Sequence, residues 1–303
     1  MTDLNRQIQK FGTGALTLDV ALGGGLPKGR AIEIFGPESV GKTTVALHAI
    51  AQIQKTGGIA AFIDAEHALD PAYAVKIGVD IDRLLVSQPD TGEMALEISD
   101  RLVRSAAVDL VAIDSVAALV PKAEIAGAMG ETASRLQAQL MSYWLRKITH
   151  NMRRSDCAVI FLNQLRHNFY SIAGPETTAG GDSLKFYASV RIDLRPMQVL
   201  SNGLEDYGIR VQAKVVKNKV APPFKVGEFD IIFGQGISNV GCVFDWGEKL
   251  RLITWKRSGY CYQGKAIGKS RGECLSYLER DLKLYEHLEK TVLNLLKLRA
   301  EDS

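Results

Sequence analysis

Ala31-Ile32-Glu33-Ile34-Phe35-Gly36-Pro37-Glu38-Ser39-Val40-Gly41-Lys42-Thr43-Thr44 decides the fold. A short apolar run of strand length gives way to a glycine-bounded turn, and a helical pattern then continues to Lys55. Gly36 and Gly41 let backbone N–H groups turn inward around phosphate oxygens, and the helix start adds its dipole. The spacing fits the strand–loop–helix cradle for a nucleotide phosphate. Its binding segment is Gly36, Pro37, Glu38, Ser39, Val40, Gly41, Lys42, Thr43 and Thr44. Lys42 is expected to reach the β- and γ-phosphates, and the Thr43 hydroxyl to hold Mg²⁺. The competing reading is a chance Gly-rich turn. The strand before it and the helix after it outweigh that reading.

Working outward, strands are predicted at 59–64, 84–87, 108–114 and 157–163, and helices at 43–55, 71–77, 92–106 and 135–153. Apolar strands without alternation, separated by helices, indicate an α/β fold with a mostly parallel sheet covered on both faces. After Lys185 the rhythm changes. Segments 186–194, 207–217 and 228–233 read as consecutive strands, an antiparallel extension of one sheet edge. From residue 237 a small C-terminal α+β lobe is expected, with a helix-like stretch, a hairpin at 255–262 and one or two helices within 273–299. The chain therefore divides into a short N-terminal segment (1–12), a core (13–236) and a lobe (237–303). Segments 126–134 and 166–181 are rich in Gly and polar residues and are candidate loops.

Composition sets outer limits. In 303 residues, 46% are hydrophobic and 23% charged, which excludes a disordered or fibrous chain. A net charge of +3 is too small to imply an acidic partner unless the cations cluster. Cys157, Cys242, Cys261 and Cys274 lie far apart with no Cys-x-x-Cys pair, as expected of reduced thiols. No apolar run approaches the roughly 18 residues of a membrane span, and the start has no signal core, so a cytoplasmic protein is expected.

A phosphate cradle needs a carboxylate for its metal. Leu110-Val111-Ala112-Ile113-Asp114 supplies one at a strand end, against the bland reading of a turn-capping Asp. Ile63-Asp64-Ala65-Glu66 ends a neighbouring strand, and Glu66 is the candidate general base for an attacking water; a helix-capping Glu is the alternative. Asp70 and Tyr73 are candidates to cover an adenine by hydrogen bond and ring stacking, against a merely solvent-facing Tyr.

Taken together, Gly36 to Thr44, Asp64-Ala65-Glu66-His67-Ala68-Leu69-Asp70-Pro71, Asp114-Ser115-Val116-Ala117-Ala118-Leu119, Phe161-Leu162-Asn163-Gln164, Pro175-Glu176-Thr177-Thr178, Leu184 to Arg191 and Val216-Lys217-Asn218-Lys219 resemble the bacterial RecA recombinase family. The blocks occur in order and at family-like spacing, from about residue 13 to about 241. The resemblance implies a RecA-like core that binds ATP and Mg²⁺ and works as a DNA-dependent ATPase. It further implies polymerisation on single-stranded DNA as a helical filament of copies of this chain, with pairing to duplex DNA and strand exchange. By the same resemblance Gln164 senses the γ-phosphate, Lys217 and Lys219 reach the ATP of the adjacent subunit, and Phe186 lies at that interface.

DNA contacts implied by the resemblance involve Arg146, Arg166 and Arg191, with Gly180 and Gly181 before a helix start. Phe169 and Tyr170 could wedge between bases. Independently, stretch 249–271 carries seven Lys/Arg and no Asp/Glu, interleaved with Trp255, Tyr260 and Tyr262. Lys256, Arg257, Lys265 and Lys269 make it a candidate nucleic-acid surface, against the alternative of a solvated basic hairpin.

The chain also departs from the family pattern. Few residues precede Phe11, where the family carries a helix and strand that dock on a neighbour. The first loop lacks an apolar wedge near Ser134 and has Gln139 where an Arg stands. Tyr143 and Trp144 replace a smaller pair. The second loop is about one residue short, and Asp182 replaces an Asn, setting a carboxylate beside amides meant for a phosphate. Two readings follow. One is a working recombinase with altered loops. The other is an ATP-binding accessory paralogue without strand exchange. Joint presence of Glu66, Gln164, Lys217 and Lys219 favours the first.

Overall fold

The computed structural model describes residues 8–127, 131–167, 176–256 and 259–301, of which 131–134, 166–167, 176–177 and 297–301 are described by backbone alone. A ribbon of β1 (Lys10–Phe11) and β2 (Leu26–Pro27) flanks α1 (Leu16–Ala21). There follow β3 (Ala31–Gly36), α2 (Lys42–Lys55), β4 (Ala60–Asp64), α3 (Pro71–Ile77), β5 (Leu84–Ser87), α4 (Gly92–Ser105) and β6 (Leu110–Asp114). Next come α5 (Lys122–Ile125), the long α6 (Glu131–Ser155), β7 (Ala158–His167), β8 (Glu176–Thr178) and α7 (Ser183–Tyr187). Four strands, β9 (Val190–Ser201), β10 (Asp206–Asn218), β11 (Val226–Ile232) and β12 (Gly236–Ile237), lead to α8 (Asn239–Lys249). The chain closes with β13 (Ile253–Lys256), β14 (Gly259–Tyr262), β15 (Lys265–Gly268), α9 (Arg271–Arg280) and α10 (Leu282–Glu301).

Strands β9, β3, β7, β6, β4 and β5 are parallel neighbours in that order. Antiparallel β10, β11 and β12 continue the sheet beyond β9, as the change of rhythm predicts. The uninterrupted apolar strands are explained by burial on both faces. Ile32 and Ile34 join one core with Val45, Leu47 and Ile50 of α2. Val111, Ile113 and Phe161 join another with Leu96 of α4 and Trp144 and Leu145 of α6. Trp144 Nε1 donates to Leu96 O at 2.6 Å and its ring meets Phe161 edge-on, so this large side chain packs α6 onto α4.

Two expectations need correction. The strand predicted from 186 begins at Val190, because residues 183–187 form the one-turn helix α7. As a strand, Leu184 and Phe186 would share one face. The helix parts them: Leu184 is buried, whereas Phe186 is 73% exposed. The lobe also holds a third strand, β15, paired antiparallel with β14, which the hairpin reading missed. The lobe has its own apolar cluster around Val243, Phe244, Tyr262 and Leu288. Its α8 and α9 are tied to the large sheet by ion pairs. Arg210 meets Asp230 at 3.0 Å and Asp245 at 2.8 Å, and Arg271 meets the same two carboxylates at 2.5 and 3.0 Å. Among the described residues, no helix is long and apolar enough to cross a membrane.

Candidate nucleotide site

Parallel pairing brings four strand ends to one edge of the sheet. Register sets Gly36 beside Gln164 and Asp64 beside Asp114, so residues far apart in sequence arrive level with one another. Crevices beyond the carboxyl ends of parallel strands are where α/β sheets bind ligands. Here that crevice is a cavity of about 520 Å³ lined by Lys42, Thr43, Glu66, Asp114, Ser115 and Gln164.

Its floor is the turn from β3 into α2. Gly41 has φ 92°, a left-handed conformation, and an added Cβ would lie 2.2 Å from Ile231 Cδ1. Strain and space both exclude a side chain there. Lys42 is buried, and its Nζ donates to Pro37 O at 2.7 Å and Gly36 O at 3.2 Å. Burial pulls its pKa down, while Asp114, Glu66 and Glu38 oppose that pull.

Thr43 Oγ1 donates to Asp114 Oδ2 at 2.6 Å. Burial pushes the Asp114 carboxyl up to about 6 against the Thr43 hydrogen bond, with Glu66 and Asp64 adding repulsion. One hydroxyl beside one carboxylate that is costly to ionise suits Mg²⁺, which takes one or two carboxylates plus substrate phosphates rather than a full protein cage. Among the described residues, no cluster of three or more His, Cys, Asp or Glu is placed to hold a metal ion. The Thr43 hydroxyl and the Asp114 carboxylate fit a metal that arrives with a nucleotide.

Glu66 reaches the same cavity on the loop after β4. Asp64, buried at the strand end, anchors that loop by accepting from Ala68 N at 3.0 Å and Leu69 N at 3.2 Å, and from Gln88 Nε2 at 3.0 Å. Glu66 N and Ala65 N both donate to Asp114 O. The Glu66 carboxylate accepts from Ser115 Oγ and, at 3.1 Å, from Gln164 Nε2. Sequence reasoning passed over Ser115, whose only signal was its place directly after Asp114. Asp70 caps α3 by accepting from Ala72 N and Tyr73 N, and Tyr73 OH lies 3.0 Å from Thr44 Oγ1. Tyr73 thus stands beside the α2 start, whereas Asp70 is taken up by the cap of its own helix.

Lys217 and Lys219 do not line this cavity. Lys217 Nζ donates to Lys185 O at 2.6 Å and Phe186 O at 2.9 Å, and Lys219 Nζ donates to Phe186 O at 3.3 Å. The two cations sit at the carboxyl end of α7, where helix carbonyls are left without intrahelical donors. Phe186 and Lys219 share a separate depression of about 390 Å³ with Arg30 and Arg153.

The residues expected at DNA are dispersed. Arg146 is exposed on α6 and donates to Ser142 O of its own helix. Arg191 is directed into the sheet, where its Nε donates to Glu33 Oε2 at 2.5 Å. Gly180 is buried and Gly181 half-buried, with φ 80° and 73°, and added Cβ atoms would lie 2.8 Å from Val116 Cγ1 and Ala138 Cβ respectively. Their lack of side chains lets the turn after β8 pack against Val116 and α6. Asp182 accepts from Lys185 Nζ at 2.8 Å. Arg166 belongs to β7, opposite Thr177 of β8, and its side chain lies outside the described residues, as do Phe169, Tyr170 and Arg257. Lys256 and Lys265 are exposed on the lobe sheet and Lys269 just after it; Trp255, beside Lys256, is 61% exposed and packs edge-on against Tyr260. Lys265 also pairs with Asp281 at 3.2 Å.

The family model for the RecA N-terminal domain matches residues 2–238. The chain is 61% identical to Protein RecA of Arthrospira platensis over 287 residues, covering 94% of this chain and 79% of that protein. It is 60% identical to Protein RecA of Synechococcus elongatus over 298 residues, covering 98% and 84%. Against Protein RecA of Nostoc punctiforme the identity is 61% over 287 residues, covering 94% and 80%.

Proposed function

This chain belongs to the RecA family, and on that premise we propose that it is an ATP-dependent DNA recombination and repair protein, acting in the cytoplasm as a DNA-dependent ATPase. The observation that carries the reading is the convergence of Lys42, the Thr43–Asp114 pair and the Glu66–Gln164 pair on one cavity. ATP and Mg²⁺, when bound, supply the scissile phosphoanhydride and neutralise charge on its oxygens. The chain does the rest. Lys42, now on loop carbonyls, would turn to the phosphate oxygens, and Thr43 and Asp114 would hold the metal. Glu66 accepts a proton from the attacking water, and Gln164 Nε2 leaves Glu66 for the γ-phosphate.

Single-stranded DNA and duplex DNA are the partners this reading requires, with copies of the chain assembling as a helical filament. Lys217 and Lys219 serve the nucleotide held by an adjacent copy, with Phe186 at the same contact. A nucleotide shared between copies stabilises the assembly only while both sides grip it. Residues 13–236 form the ATPase core in this scheme, and the 237–303 lobe adds a basic surface for DNA. Identity near 60% along almost the whole chain disfavours the accessory-paralogue reading.

The test is ATP turnover with and without single-stranded DNA, with electron microscopy in a non-hydrolysable ATP analogue. Stimulated turnover and regular filaments are expected. Neither stimulation nor salt-sensitive DNA binding would return the accessory reading.

A further inference from the structure

Glu33 is a carboxylate in the middle of an apolar strand, fully buried, and the nucleotide chemistry above does not use it. Its oxygens are engaged from opposite sides. Asn163 Nδ2 of β7 donates to Oε1 at 2.9 Å, and Arg191 Nε of β9 donates to Oε2 at 2.5 Å. Asn163, also fully buried, has its remaining capacity taken by the surrounding backbone: Nδ2 donates to Ala179 O, and Oδ1 accepts from Gln164 N and Ala179 N. Arg191 lies over the Phe35 ring at 4.7 Å and stands directly opposite Lys217 in the β9–β10 ladder. Asn163, Glu33, Arg191 and Lys217 thus form a row across four adjacent strands. One end touches the backbone of Gln164 and the other holds the carboxyl end of α7.

We propose that Glu33 is a positioning residue that couples the Gln164 end of the nucleotide pocket to Arg191 and so to the Lys217–Lys219 pair and α7. The inference rests on the nucleotide reading above. The element with two arrangements is Lys217, which binds either the α7 carbonyls or an anion, and a ligand that favours one arrangement must bias whatever the lysine holds. Both neighbours of Glu33 donate, and its two carboxyl oxygens present one acceptor to each. In Glu33→Gln one donor must face an NH₂ group, and Arg191 is left without its counter-charge beside two lysines. Burial lowers the pKa of Lys217, Lys219 and Arg191 add to that, and Glu33 opposes it, so the carboxylate acts on the lysine as well as on the arginine.

The experiment uses the full chain, a fluorescent non-hydrolysable ATP analogue with Mg²⁺, and hydrogen exchange at 183–187. In the wild type, bound analogue should slow exchange in α7. Glu33→Gln should bind the analogue within about twofold of wild type while that slowing falls about tenfold. A merely structural Glu33 would lower the melting midpoint and leave the slowing intact, and that result overturns the proposal. Should Glu33→Gln not fold, Asn163→Ala interrupts the row one step earlier and should give the same loss; an intact response there overturns it too. Wild-type protein that binds the analogue without any response in α7 rejects the coupling and spares the nucleotide reading. Wild-type protein that binds no analogue rejects both.

Discussion

Gln164 Nε2 donates to Glu66 Oε1 across 3.1 Å, joining two side chains 98 positions apart at the carboxyl edge of the sheet. Ser115 Oγ donates to the same carboxylate oxygen. Glu66 is therefore held by two donors in a cavity that Lys42 and Thr43 also line. A carboxylate so placed can receive a proton, and an amide of nearly the same shape cannot.

Glu66→Gln should preserve analogue affinity and reduce ATP turnover by about a hundredfold or more. Phosphate release measured beside analogue binding separates the two effects. Turnover at the wild-type rate would mean that another group is the base.

Asp114→Asn keeps an acceptor for Thr43 and loses the negative charge. Mg²⁺ affinity in the presence of nucleotide should fall about tenfold or more, and chelator should release analogue from the wild type. Titrating Mg²⁺ against analogue binding tests this, and an unshifted midpoint would remove Asp114 from the metal site.

His48 gives a pH dependence whose sign is fixed by burial. Its Nε2 accepts from Ile237 N at 2.8 Å, and burial first, then Lys55, lower its pKa to about 4. Between about pH 6.5 and 4 the unfolded chain binds the proton and the folded chain does not. The stabilisation is present above 6.5 and lost as pH falls, by about 3 kcal/mol in total. Buried Asp19, raised to about 6 chiefly by burial, runs the other way, its contribution being complete below about 4 and lost as pH rises through 6. The two offset each other in the wild type. The wild-type minus His48→Gln difference in urea unfolding free energy should therefore shrink as pH drops from 7 to 4. A pH-independent difference would refute the buried neutral imidazole.

On the lobe, Lys256→Ala and Lys269→Ala should each lower the salt slope of single-stranded DNA binding by about 0.7. Lys265→Ala should lower it less, because Asp281 already neutralises that ammonium. Fluorescence titrations at several salt concentrations read the slopes. Unchanged slopes in all three variants would make the surface a solvated basic sheet.

Local chemistry made much of this protein legible before any coordinates. A glycine-bounded turn between an apolar strand and a helix has few uses, and period and punctuation placed the parallel core and its antiparallel extension, whereas Gln164, Lys217 and Lys219 became candidates only through the family resemblance. The strand read from Phe186 misplaces residues 186–187 because a short apolar run suits either a strand or one helical turn; in the fold they close α7, which packs against α6. The meeting of Glu66 with Gln164, and the row from Asn163 through Glu33 and Arg191 to Lys217, depend on which strands lie side by side. That order is fixed by burial on both sheet faces and by long-range pairing, which no local stretch of sequence encodes.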